Sequence, residues 1–243
     1  QLLRPKGALI KGFGGVASGP DALCEGINEI SRILNENSGK IYRFKLDHGL
    51  GYGFAEVYDF TDHSMFDGRV VYIYNRHDKI DQNEYVYSDI KKTGIALGPI
   101  RLYKFPNTRG LHSWKFLLQT DELLIHSLPE TKELRGLESK DDNWDNLGDW
   151  YSSNYDRKQM PTFVPYEKVR HLENRIINSP SGVATKFTMK VILDNKEKVS
   201  DYYDLNNLAD KNMFVQMINT YYPLTKTKSF LKQLPTSKNK TSG

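Results

Sequence analysis

Two hydrophobic periods divide this chain. Leu23, Ile27, Ile30 and Leu34 recur at helical spacing, and Cys24 and Ile33 widen the stripe. Glu25, Asn28, Glu29 and Arg32 take the opposite side. Ser18, Pro20 and Asp21 precede the run as a capping residue, a first-turn proline and an acid near the positive end of the dipole, so a helix is expected over residues 21–36.

Beyond Lys40 the period drops to two. Tyr42, Phe44 and Leu46 alternate with Arg43 and Lys45, Asp47 to Gly51 turns the chain, and residues 52–60 return as a second strand. Arg69 to Tyr74, Ile100 to Phe105, and residues 112–118 with Trp114 and Phe116 on one face bring the strands to five, an antiparallel meander expected to curl. Further on, Val183, Thr185, Phe187, Met189, Val191 and Leu193 alternate with Ala184, Lys186, Thr188, Lys190 and Ile192. That pattern predicts a long strand, turning at Asp194-Asn195 into a hairpin with residues 198–203. Leu208 then opens a closing helix in which Phe214, Met217, Ile218 and Tyr221 share a face.

The expected fold is α+β, mainly β with flanking helices: an antiparallel curled sheet or partly open barrel, preceded by a glycine-rich loop and one helix. Its parts are residues 1–37, a mostly β body over 38–224, and a lysine-rich flexible tail over 225–243.

Composition adds modest constraints. A chain of 243 residues can bury a proper core, and its 15 tyrosines suit half-buried sheet surface, where the ring packs and the hydroxyl stays wet. The net charge is +4, and residues 225–243 hold five lysines (226, 228, 232, 238 and 240) without an acid. No arginine-and-aromatic platform accompanies that tail, so it reads as a solvated terminus and direct nucleic-acid binding is not expected. The lone Cys24 excludes an intrachain disulfide, no apolar run reaches membrane length, and QLLRPKG lacks the apolar core of a secretory signal. Cytoplasm is the expected location.

The opening segment carries its own chemistry. Arg4, Lys6 and Lys11 bracket Gly7, Gly12, Gly14, Gly15 and Gly19, a pattern that lets backbone approach an anion closely. Its spacing fits neither the P-loop nor the dinucleotide fingerprint, and a flexible terminus with some glycine has the same composition. The string RPKGALIKGFGGVASGP resembles the large subunit of ribonucleotide reductases, especially the adenosylcobalamin-dependent class, over residues 4–36. That resemblance implies a deoxynucleoside triphosphate effector loop, with Lys11 and Lys6 beside Gly14 and Gly15 at the phosphates. With one cysteine in the whole chain, the piece by itself cannot carry radical reduction, and it reads as a remnant or fusion.

The body resembles a different family. GKIYRFKLDHGLGYGFAEVYDF, RVVYIYN, GPIRLYKFP and HSWKFL are similar, over residues 38–137, to the immunity protein 26 family of bacterial polymorphic-toxin systems. Asp47, Gly49, Tyr52 and Gly53 match its turn and returning strand; Pro99, Ile100, Leu102, Trp114 and Lys115 match its later strands; Leu128-Pro129-Glu130 matches the polar stretch after them. The resemblance implies a mostly β protein that binds and neutralises a cognate toxin without catalysis. The insertion at residues 76–93 and everything after residue 137 depart from that pattern.

Those departures hold the candidate partner-binding residues. Trp144, Asp145, Trp150 and Tyr151 lie in an acidic, tryptophan-bearing stretch, and Tyr85 and Tyr87 in the insertion; aromatic anchors in a charged rim suit a basic toxin. The competing reading is a solvated connector whose tryptophans pack back on the core. No catalytic residue, metal ligand or cofactor is expected. The six histidines form no HExxH pair, and no Gly-x-Ser-x-Gly elbow occurs. Asp62-His63 and His77-Asp78 could meet across a hairpin, although histidines at strand ends are usually plain surface. A reductase fragment binding a deoxynucleotide, and a mobile-element nuclease, are the alternatives to the immunity-type function.

Overall fold

A computed structural model of the chain describes residues 38–60, 68–82, 84–109, 113–122, 124, 130–135, 149–154, 162–174 and 177–235. The glycine-rich loop and helix expected over residues 4–36, Asp62-His63, and Trp144 with Asp145 lie outside them.

Strands β1 (Lys40–Lys45), β2 (Tyr52–Asp59), β3 (Arg69–Asp78), β4 (Ile95–Leu102) and β5 (Trp114–Gln119) form one antiparallel sheet in the order β4-β3-β2-β1-β5. The first four make the expected meander. The sheet stays open, with β4 and β5 as its edges. Pro99, which has no N–H to give a ladder, sits on the edge strand β4. Between β3 and β4 a short helix, α1 (Tyr87–Lys91), covers the outer face. A smaller antiparallel sheet joins β6 (Glu130–Arg135), β7 (Asp149–Asn154) and β8 (Thr162–Phe163), followed by α2 (Tyr166–Val169).

The long strand and hairpin expected over residues 183–203 are not there. Residues Pro180–Asp194 form a helix, α3, whose N-cap Ser179 accepts a bond from Gly182 N–H at 3.0 Å, with Pro180 in the first turn. The alternating pattern arose because α3 is buried on two sides. Val183, Phe187 and Val191, spaced i, i+4, i+8, pack on Phe44, Val57, Ile73, Leu97 and Trp114 of the inner sheet face. Met189, Ile192 and Leu193 pack on α4 (Leu208–Tyr221) through Phe214, Met217 and Ile218. A helix caught between sheet and helix is apolar nearly all round, so its sequence loses the one-faced stripe that marks a surface helix. Each fully buried side chain of this kind contributes about 1.5–3 kcal/mol.

The tail also differs from expectation. Leu224–Phe230 is a helix, α5, followed by a tight helical turn at Leu231–Gln233. Thr227 is buried there, donating to the Ile218 carbonyl at 3.1 Å and accepting from Arg170 Nη2 at 2.8 Å. Lys226, Lys228 and Lys232 therefore ride on ordered, packed backbone. Only residues 236–243 of that tail lie outside the description.

The turn and returning strand quoted above, Asp47 to Gly53, have structural reasons. Asp47 Oδ2 accepts from Thr185 and Tyr203 hydroxyls, each at 2.8 Å, pinning the β1–β2 turn to α3. A Cβ on Gly53 would lie 2.6 Å from Phe44 Cζ and 2.9 Å from two Phe187 ring carbons, so α3 reaches the sheet only over a glycine. No helix among the described residues is long and apolar enough to cross a membrane.

Candidate functional site

Beside the β1–β2 turn the chain builds a shelf of tyrosines and carboxylates. After α3 the backbone makes a helical turn at Val199–Asp201, and the string Asp201-Tyr202-Tyr203-Asp204 follows, ahead of the α4 N-cap Asn207. Val199 and Leu205 are buried and anchor the two ends, so the residues between them are held at the surface. Gln233 Oε1 accepts from Val199 N–H at 2.8 Å and ties the segment to the C-terminal turn.

The shelf is prearranged by its own contacts. The Tyr203 hydroxyl donates to Asp47, and burial with that bond pushes its pKa upward, so it stays protonated. Tyr202 donates to the Glu197 carboxylate. His48 sits in the left-handed region (φ 55°) with its ring edge-on to both tyrosines, at 5.5 and 4.7 Å. Asp204 accepts from the backbone N–H and the side-chain amide of Asn206, which hold its carboxyl below the usual range. Asp201, Tyr202, Tyr203, Asp204 and Gln233 line a shallow concavity of about 410 Å³. Over residues 194–211, five carboxylates (Asp194, Glu197, Asp201, Asp204, Asp210) face three lysines (196, 198, 211), a local charge of −2 on a +4 chain.

The residues singled out from sequence fall elsewhere. Trp150 lies on β7, 7% exposed, with its ring 4.9 Å from that of Tyr166. Tyr151 is half-buried, its ring 5.9 Å from exposed Phe163. Tyr85 and Tyr87 are half-buried over the outer sheet face, with Ile41, Phe54, Tyr74 and Ile90 beneath them. Tyr85 packs edge-on to Phe54 at 5.1 Å, and its hydroxyl accepts from Gln82 N–H at 2.9 Å. Lys6, Lys11, Gly14, Gly15, Trp144 and Asp145 lie outside the described residues. The sequence signal for the shelf was the Asp201–Asp204 string itself, hidden once residues 198–203 were read as half a hairpin.

Under the outer face lies a buried carboxyl. Glu56 is fully enclosed, and the hydroxyls of Tyr58 and Tyr74 donate to its two oxygens. Burial pushes its pKa up; the two tyrosine bonds and Lys91 pull it down, and Glu122 raises it again. A raised folded-state pKa means stability that is complete at acid pH and lost as pH rises through that value. Glu56→Gln should therefore gain on the wild type as pH goes from about 5 to about 8 in urea unfolding. A wild-type-minus-variant difference that stays flat with pH would refute this account.

Among the described residues no cluster of three or more His, Cys, Asp or Glu side chains is placed to hold a metal ion. Asp78 is engaged by Arg76 through two bonds of 3.0 and 2.9 Å, while Asp62-His63, the other half of the hairpin considered above, lies outside the described residues. No family model, no curated protein and no solved structure matches this chain.

Proposed function

We propose that this chain is a non-enzymatic binding protein of the immunity type, neutralising a bacterial toxin by covering a basic surface with the tyrosine–carboxylate shelf. The observation that carries the reading is Tyr202 and Tyr203 held by Glu197, Asp47 and His48 beside the exposed Asp201 and Asp204. Tyrosines presented in a fixed geometry lose little freedom on binding, and surrounding carboxylates steer a cationic partner and exclude others. The resemblance of residues 38–137 to immunity protein 26 supports the same reading from the sequence side. Such a neutraliser acts in the cytoplasm.

The test is binding to any toxin encoded beside this gene, with Tyr202→Ala/Asp201→Ala as the probe. Tyr203 is left intact because it braces Asp47. Loss of one central tyrosine anchor costs about 2 kcal/mol, so the variant should bind about 30-fold more weakly, or worse, with an unchanged melting temperature. Unchanged affinity, or no protection against any linked toxin, removes the proposal.

A further inference from the structure

A second concavity opens on the outer face of the sheet, beside the edge strand β5. It has a volume of about 310 Å³, and Arg43, Lys45, Tyr52, Ser113, Lys115 and Phe116 line it. Arg43 on β1 stands directly opposite Lys115 on β5, and Lys45 lies two residues along β1. Like charges facing each other across antiparallel strands repel. Lysine on an edge strand alone is a common guard against stray pairing. Lys45, however, is on an inner strand, and Arg43 is not at the surface.

The arginine is the unusual member. Its side chain is 8% exposed, and its guanidinium carbon lies 4.4 Å over the Tyr52 ring. Asp81 and the Tyr85 hydroxyl both meet Nη1, the latter at 3.5 Å. Nε and Nη2 have no acceptor among the described residues, nor do Lys45 and Lys115 have an acidic partner there. Among the described residues the cleft thus gathers three cations, of which only Arg43 meets a carboxylate, Asp81. Ser113 also lines the cleft, and the Tyr52 ring under Arg43 is its apolar surface; Phe116, opposite Tyr42 and 5.9 Å from its ring, turns its side chain to the other face.

We infer that this cleft binds a small phosphorylated molecule, its phosphate between Arg43, Lys45 and Lys115. The guanidinium fork and two ammonium groups suit a dianionic phosphate, and the bound anion would relieve the repulsion across the strands. The volume matches the lower end of small-ligand pockets, about 300 Å³. The cations converge on one spot and do not run in a stripe, which favours a free phosphate compound over a nucleic-acid backbone.

The experiment titrates the full chain with pyrophosphate and with adenosine monophosphate in a calorimeter, and with a single-stranded oligonucleotide as comparator. Lys45→Ala/Lys115→Ala is the variant of choice, because both lysines are exposed and their loss spares the core. Saturable binding of either small probe below about 1 mM, weakened at least about tenfold in the double variant, is expected. The variant's melting temperature should hold or rise. No binding at about 10 mM, or equal affinity in the variant, overturns the inference. So does an oligonucleotide that binds more tightly than both small probes with a steep salt dependence.

Discussion

Lys186→Met should destabilise the protein by about 3–5 kcal/mol, the cost of leaving an uncompensated charge in the interior. Lys186 and Glu173 are each 3% exposed, and Lys186 Nζ lies 3.1 Å from both carboxylate oxygens. The Tyr221 hydroxyl donates to the same carboxylate and accepts from Gly98 N–H at 2.8 Å. One ion pair thus links α3, α4, the edge of β4 and the segment after α2. Removing the lysine leaves Glu173 with a single hydroxyl donor among the described residues, Tyr221. Replacing both partners, Lys186→Met with Glu173→Leu, should recover most of the loss, since two buried charges cost about as much to desolvate as their attraction returns. Urea unfolding of the single and double variants measures this directly. A single variant within about 1 kcal/mol of wild type would mean that the pair is wet and the junction loosely packed.

Phe187→Ala should cost about as much, 3–5 kcal/mol. Its ring, 2% exposed, lies edge-on to Phe44 at 6.0 Å and reaches the Cα of Gly53, at the centre of the contact between α3 and the sheet. Deleting it removes a large apolar surface and leaves a cavity that rigid β-strands cannot close. The urea midpoint should fall while the slope of the transition holds, because the helix still packs through Val183 and Val191. A loss under about 1 kcal/mol would place this side chain at a surface and contradict the helix-on-sheet packing.

How much of this could be read in advance depends on where each element packs. The meander β1–β4 has one face on α3 and another under α1, yet turn residues such as Asp47, Gly49 and Gly51 mark its ends, and its strands were legible within a few residues. Helix α4 showed its Phe214, Met217, Ile218 stripe because only one side is covered deeply. Helix α3 did not, since period arguments need a polar face and this helix has almost none. Its local signals, Ser179-Pro180 at the start and Asp194-Asn195 at the end, were present and were outweighed by the alternation. Trp150 and Tyr85 looked like anchors because an aromatic in a polar stretch has the same sequence signature whether it faces a partner or its own core.

The amino-acid sequence alone determined the antiparallel meander, its turns and the closing helix, because strand alternation, glycine conformations and a one-sided apolar stripe are local properties. Only the tertiary structure decided that residues 180–194 are a helix, that Lys186 faces Glu173 across the core, and that Tyr202, Tyr203 and Asp47 share one surface. Those facts join residues far apart along the chain, and burial from two sides erases the periodicity by which a single strand of text reveals its own folding.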